Sequence, residues 1–406
     1  MKYIDLFAGA GGLSEGFYRE GFIPIAHIEK DKNACLTLKT RIAYHYLKER
    51  DRLDLYVKYL KSEISRDSLY RYIPSFHLDT VINQEISEST LDALFKEIDP
   101  MVDDGLDLIV GGPPCQAYSY ASAHIKHKNK DLIYLYELYG EFLKRYKPKM
   151  FIFENVPGLH TADDGKYFEG LKKCFMEIGY KLNDKKLDAS KFDIPQKRER
   201  IIIIGWRVDL DLSYPEFEDK ISNTKINDLF VDLPKLKQGE SILAGSYNRQ
   251  KASEYVQNYI RNGIEVLTQH TARSHNERDL NIYKMAIEKW QEGVRLKNSD
   301  IPEDMRTQQN ITSFLDRFKV VDGDGYSHTM IAHIAKDGHY YIHPDINQLR
   351  SISVREAARI QSFPDDYFFE GSRTSAFTQI GNAVPPILAQ SIAKVIRYKI
   401  EELNGQ

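Results

Sequence analysis

Asp5-Leu6-Phe7-Ala8-Gly9-Ala10-Gly11-Gly12 is the stretch on which the fold turns. It closes an apolar run over residues 2–7 and opens the amphipathic stretch Leu13 to Arg19, so a strand passes into a helix through a glycine-rich turn. In an open α/β sheet that is where a nucleotide-like ligand binds, because glycine lets the main chain approach it closely. Working outward, apolar runs near 23–29, 79–83, 106–111, 149–153 and 200–206 alternate with helical patterns such as Leu91 to Ile98 and Ile133 to Tyr146. The alternation predicts βα units and a doubly wound, mostly parallel α/β sheet.

At about 150 residues per domain, 406 residues predict two or three domains. We expect a catalytic and cofactor-binding domain over 1–212, with a Tyr-, Lys-, Arg- and Glu-rich insertion of helical spacing at about 41–75. After Trp206 the rhythm breaks into Gly, Asn, Ser and Thr punctuation, which predicts a second, smaller domain over 213–344. Residues 345–406 read as a segment returning to the first domain: a helix around Arg355 to Gln361, a Phe363-Pro364 stop, Gly381-Asn382 and a closing helix.

Lys plus Arg number 56 against 59 Asp plus Glu, a net charge of −3, so polyanion binding must come from a local patch. Three cysteines, Cys35, Cys115 and Cys174, are too few and too odd for a disulfide framework and suit a reducing compartment. The apolar runs fall short of the roughly 20 residues of a membrane span, and Asp5 interrupts any signal-peptide core. A cytoplasmic protein without membrane contact is expected.

Glu29 ends the second apolar run, the position from which a carboxylate accepts hydrogen bonds from two ribose hydroxyls. With the glycine turn it suggests an adenosine-containing cofactor, and a spacing other than GxGxxG favours S-adenosylmethionine over a dinucleotide. Alone, such a turn is a weak signal, being merely a tight strand–helix connection in roughly one case in three.

The strand Leu106 to Val110 runs into Gly111-Gly112-Pro113-Pro114-Cys115-Gln116, and two prolines cannot continue a ladder. Cys115 is therefore placed on a loop at the carboxyl edge of the sheet, although a free cysteine is more often a small core residue. The strand ending in Glu154-Asn155 brings a carboxylate to the same edge. Gln196-Lys197-Arg198-Glu199-Arg200 leads into Ile201 to Ile204 and is either a strand flank or part of a site.

These blocks occur in the same order in a known family. The chain resembles the cytosine-C5 DNA methyltransferases, most closely the bacterial restriction-modification enzymes, through Asp5 to Gly12, Pro113 to Gln116, Glu154-Asn155-Val156, Gln196 to Arg200, Arg355 to Pro364 and Gly381 to Pro386. The resemblance implies the S-adenosylmethionine-dependent methyltransferase fold with a DNA-recognition domain at about 213–344. It implies Cys115 as nucleophile toward cytosine C6, Glu154 at N3 in its protonated form, and Arg200 with Arg198 holding the base edge. S-adenosylmethionine contacts would come from Phe7, Gly9, Gly11, Leu13, Glu29, Glu85, Ile86, Pro114, Leu135 and Asn382. Gln116, Ser119 and Gln196 would meet the substrate, and the loop carrying Ser119, His124, Lys126, His127, Lys128 and Lys130 would close on phosphates.

The partner implied is double-stranded DNA with a specific recognition site, bound by a monomer, with a cognate restriction endonuclease acting on the same site. Residues 221–340 carry about 16 basic and 16 acidic side chains, so affinity there would rest on a few placed contacts. Pairs such as His328 with His333 or His339 with His343 lack an accompanying cysteine, and no metal is expected. Two other readings remain: a transfer-RNA methyltransferase of the same fold, disfavoured because no cysteine follows Cys174, and a catalytically dead DNA-binding regulator, disfavoured because Cys115, Glu154 and Arg200 are all present.

Overall fold

The structure, a computed structural model, describes residues 1–102, 105–114, 135–248, 251–261, 263–306 and 315–404. In chain order the main elements of the first half are β1 (Lys2–Leu6), α1 (Gly12–Arg19), β2 (Ile23–Glu29), α2 (Lys32–Lys48), α3 (Leu53–Leu60), α4 (Arg66–Tyr70), α5 (Ser75–Leu78), β3 (Val81–Asn83), α6 (Leu91–Ile98), β4 (Leu108–Gly111), α7 (Leu135–Tyr146), β5 (Met150–Asn155), α8 (Lys166–Ile178), β6 (Tyr180–Asp188) and β7 (Glu199–Arg207). The seven strands form one sheet in the order β3-β2-β1-β4-β5-β7-β6. Five are parallel, and β7 enters antiparallel to both β5 and β6.

Period-two alternation explains why helices cover both faces. Tyr3, Leu108, Val110, Ile152, Ile202 and Ile204 feed one apolar core, whereas Ile4, Leu6, Ile109, Phe153, Ile201 and Ile203 feed another on the opposite face. The expected sheet is present with one added strand. β6 (YKLNDKKLD) has no apolar run to betray it, because it is the sheet edge and turns Lys181, Asn183 and Lys186 to solvent.

The helical run through the insertion starts earlier than its composition suggests, at Lys32, where the Asp31 carboxylate caps α2 by accepting the Ala34 N–H (2.8 Å). Tyr44, Leu47, Leu55, Tyr56, Leu60 and Leu69 then build a separate core with Ile264 and Val266. In the second half, α9 (Ile226–Phe230), the antiparallel pair β8 (Ser241–Gly245) and β9 (Leu267–Thr271), and α10 (Glu277–Gln291) lie outside the large sheet. α11 (Val354–Ile360) starts at a Ser353–Glu356 capping box and is followed by α12 (Arg373–Asn382) and α13 (Pro386–Asn404). α13 packs so closely on α1 that a Cβ on Gly16 would stand 2.3 Å from the Gln390 nitrogen. Among the described residues no helix is long and apolar enough to cross a membrane.

Candidate active site

The strand register gathers the site. Leu6 lies opposite Ile28 and Gly111, Glu29 opposite Asn83, and Gly111 opposite Phe153. Phe7 to Gly9, Glu29, Glu85-Ile86, Gly112 to Pro114 and Glu154 therefore leave the sheet along one carboxyl edge.

After β1 the chain turns through left-handed conformations at Phe7, Gly9 and Gly11, with φ of 59°, 55° and 80°. A side chain on Gly11 would stand 2.6 Å from Leu38 Cδ2, whereas nothing approaches Gly9 within 4 Å. The Gly9 N–H donates to Glu29 Oε2 (2.8 Å) and the Asp31 N–H to Oε1 (2.7 Å). Each carboxylate oxygen is thus fixed by one main-chain donor and keeps a lone pair for a further one, which suits a pair of vicinal hydroxyls. On this geometry the turn and Glu29 fit a ribose-bearing cofactor.

The remaining expected cofactor residues fall into two groups. Ile86 and Leu135 are buried at the same edge, Pro114 is half-buried, and Leu13 faces the core from α1. Glu85 sits on the rim, paired with Lys30 (2.9 Å), and Asn382 is exposed at the end of α12. Asp5, to which sequence reading gave no role, is buried beside this turn. Burial pushes its carboxyl up to about 7, the Ser14 hydroxyl (2.5 Å) opposing and the Glu29 charge adding. A lone carboxylate in an apolar strand was its signal.

The second half of the site is a carboxylate–guanidinium pair. Arg200 Nε stands 2.9 Å from Glu154 Oε1, both side chains being about nine-tenths buried. Gly112 gives this carboxylate room, since a Cβ there would lie 2.5 Å from Glu154 Oε2. Asn155 Nδ2 donates to the Pro113 carbonyl (3.2 Å), tying the proline turn to β5. Cys115, Gln116, Ser119 and the basic loop after them lie outside the described residues. Neither other cysteine offers a thiolate near neutrality: burial pushes Cys35 up to about 12 and Cys174 to about 11.

Two expected site residues are placed elsewhere. Arg198 is 1% exposed and donates to the carbonyls of Met330, Gly381 (3.4 Å) and Ala383 (2.9 Å). Gln196 is fully buried, donating to the Ile360 carbonyl (3.0 Å) and Gln361 Oε1 (2.7 Å) while accepting the Met330 N–H (2.9 Å). Both are corrections: buried donors must be satisfied, and these join β7 to the C-terminal helices rather than meeting a base. Three of the four histidines considered as ligands are engaged locally, His328 with the Tyr340 carbonyl, His339 with the Tyr283 hydroxyl and His343 with Glu356, whereas His333 Nδ1 is buried without a hydrogen-bond partner among the described residues.

A carboxylate fixed by two main-chain donors and a buried acid–guanidinium pair on one sheet edge narrow the possibilities, and sequence comparison closes them. The profile of the C-5 cytosine-specific DNA methylases matches residues 1–67 and 54–398. The chain belongs to that family. This DNA cytosine-C5 methyltransferase is 40% identical to the type II methyltransferase M.Bpa9945I of Bacillus paralicheniformis, over 100% of both chains. It is 31% identical to the type II methyltransferase M1.HphI of Haemophilus parahaemolyticus, over 98% of this chain and 86% of that one. A solved DNA modification methyltransferase encoded within an E. coli prophage matches with a TM-score of 0.66 at 21% identity, covering 99% of each chain. The S. pombe methyltransferase Dnmt2 gives 0.52 at 14% identity, covering 100% of this chain and 99% of that one. These two likenesses are of fold.

Proposed function

We propose that the methyltransferase acts at a specific site in double-stranded DNA, moving a methyl group from S-adenosylmethionine to C5 of a flipped-out cytosine through a covalent bond between Cys115 Sγ and C6. The observation that carries this reading is the Glu154–Arg200 pair beside the Gly112–Pro114 turn that leads to Cys115. Cytosine C5 is a poor nucleophile, and thiolate addition to C6 makes it enamine-like. Glu154 serves N3, where the displaced electrons accumulate, and Arg200 fixes the carboxyl in place through Oε1. S-adenosylmethionine, when bound, supplies an electrophilic methyl group. Glu29 and the Gly9 turn hold its ribose, with Ile86 and Leu135 beside its adenine. Once C5 is methylated, its proton leaves to a base, Cys115 Sγ is eliminated and the ring regains aromaticity.

Target recognition belongs, in this reading, to residues 213–344, whose β8–β9 pair, α9 and α10 stand apart from the large sheet. In this reading the enzyme works as a monomer in the cytoplasm, and its likeness to the type II methyltransferases supports a role in protecting host DNA from a cognate endonuclease.

Expression in a methylation-free host and sequencing of converted DNA identifies the site. A duplex carrying 5-fluorocytosine there should then yield a denaturant-resistant species of enzyme, DNA and transferred methyl, because the final proton abstraction is blocked. Cys115→Ser should give neither this species nor turnover, an alcohol being far less ionised than a thiol. Normal methylation by Cys115→Ser, or an adduct mapped to Cys35 or Cys174, would refute the mechanism.

A further inference from the structure

α12 carries Arg373 at its first position, behind the Ser372 cap, and has no acidic residue in its first turn. A helix amino terminus is already positive, so a cation placed there is unfavourable until an anion answers it. Arg273, just past β9, stands beside it: Arg373 Nη1 donates to the Ala272 carbonyl (3.4 Å). Burial pushes the Arg273 guanidinium below its ordinary value, the Arg373 charge adding to that shift while Asp337 and Tyr283 oppose it. The two cations therefore feel each other.

Carbonyls rather than carboxylates hold this pair. Arg273 Nη2 donates to the carbonyls of Ala335 (2.7 Å) and Ile334 (3.4 Å). Arg350 and Arg359, by contrast, meet Glu356, Asp232 and Asp365, whereas neither Arg273 nor Arg373 has an ion-pair partner among the described residues. Both side chains are half-buried. Their Nε atoms are enclosed, but among the described residues Arg273 Nη1 and Arg373 Nη2 are neither enclosed nor bonded. Two guanidiniums and a helix terminus thus stand together with no carboxylate to neutralise them.

We propose that Arg273 and Arg373 form a clamp for backbone phosphates of the DNA substrate, steadying the duplex without reading its sequence. The inference rests on the duplex-DNA reading given above. Charge complementarity carries it, because like charges brought together cost energy unless an anion lies between them, and a guanidinium presents paired donors that match a phosphate. The carbonyls that fix one edge of each guanidinium leave the other oriented in advance. Placement agrees. α12 runs about 13 Å from Arg373 to Asn382 at 1.5 Å per residue, and at its far end the Gly381 carbonyl accepts from Arg198, two residues before Arg200. One DNA strand rises about 3.4 Å per nucleotide, so with a cytosine at Glu154 and Arg200 the clamp reaches phosphates about four base pairs away. A chain of net charge −3 has no bulk attraction for DNA and depends on such placed contacts.

Equilibrium binding of the full-length enzyme to a duplex bearing its own site, repeated over a series of salt concentrations, tests the clamp. Arg273→Gln and Arg373→Gln should each weaken binding about three- to tenfold, equally on a duplex lacking the site, and lower the slope of log affinity against log salt by about one. Arg373→Lys keeps the charge and should restore the slope, whereas a merely structural arginine would be replaced as poorly by Lys as by Gln. Uncharged methylphosphonate linkages, introduced singly within about four base pairs of the target, should weaken the wild type at one or two positions and leave Arg373→Gln indifferent there. Unchanged affinity and slope in both Gln variants, a loss confined to the duplex with the site, or an Arg373→Gln protein that still responds at the same linkages would overturn the clamp alone. A wild-type enzyme that binds no duplex would overturn the duplex reading, and the clamp with it.

Discussion

Glu29 is held from behind before any ligand arrives: with Gly9 N–H on one oxygen and Asp31 N–H on the other, its carboxylate cannot rotate away. Pre-fixed acceptors give up little conformational entropy on binding, so the side chain should count heavily toward cofactor affinity. Glu29→Ala is expected to weaken cofactor binding by about 1.5–3 kcal/mol, roughly ten- to a hundredfold, and calorimetry on the folded variant checks it. Tyr367 acts on the same turn from the other side, its hydroxyl donating to the Ala10 carbonyl. Tyr367→Phe keeps the ring among Phe363 and Phe369 and loses only that bond, so the cofactor KM should rise about three- to tenfold with kcat little changed. An equal KM would mean that the turn needs no such support. Gly112 is the third sensitive position. In Gly112→Ala the new methyl displaces the Glu154 carboxylate from Arg200, and a misplacement of about an ångström at a reacting group costs on the order of a hundredfold in kcat. A normal kcat in this variant would detach Glu154 from the chemistry.

At the scale of elements, legibility follows the range of the forces involved. β1, β2, β4, β5 and β7 could be read because burial on both faces demands unbroken apolar runs, as Ile201 to Ile204 illustrates. β6 could not, since an exposed edge imposes no such pattern. That the turn, Glu29 and Glu154 lie at the sheet's carboxyl edge was legible because each directly follows or ends an apolar run, and Arg200 because it opens one. Arg198 and Gln196 share their segment, yet their partners, Met330, Ile360 and Ala383, are remote in sequence, and nothing local distinguishes a base-holding arginine from one that joins two halves of a fold. The insertion was unreadable for the same reason. Its helices grip residues 366–370: Arg41 bonds Asp366 (2.8 Å), the Tyr56 hydroxyl the Asp366 carbonyl (2.8 Å), and Thr40, Tyr59 and Arg66 all reach Glu370. Tyr367 lies between those two acidic anchors, so the insertion braces the residue that bonds the glycine turn after β1. Arg41→Met should cost about 3–5 kcal/mol of stability, because it leaves Asp366 buried without its cation and removes the two bonds that Arg41 gives the buried Glu15, which keeps only Arg19 and His45. Urea unfolding measures it, and a loss below about 1 kcal/mol would place the brace elsewhere.

For the whole molecule, the buried titratable groups set how stability responds to acid. Burial holds His27, His275 and His328 each at about 4, with His339 and Arg273 reinforcing the shift at His275 and Lys319 at His328. The unfolded chain binds a proton on each near pH 6.5, as a free imidazole does, whereas the folded chain does so only near 4. Between those values unfolding takes up about three protons on these side chains, so their contribution is present above pH 6.5 and lost as the pH falls toward 4. Asp5 works in the opposite sense. Its folded carboxyl, at about 7, is protonated where the unfolded one has ionised, and it releases about one proton on unfolding in the same window. Histidine uptake outweighs it, and His270, His339 and His343, all shifted downward chiefly by burial, add to the uptake. Near pH 5 the net is at least about two protons, a slope of about 2.7 kcal/mol per pH unit. Unfolding free energies from urea titrations at half-unit steps between pH 7 and 4.5 should therefore fall steeply, and the Asp5→Asn protein, which lacks the opposing proton, should fall faster still. A flat profile would mean that these histidines are already charged in the folded protein, and with that the burial of His27 against Tyr3 would be lost.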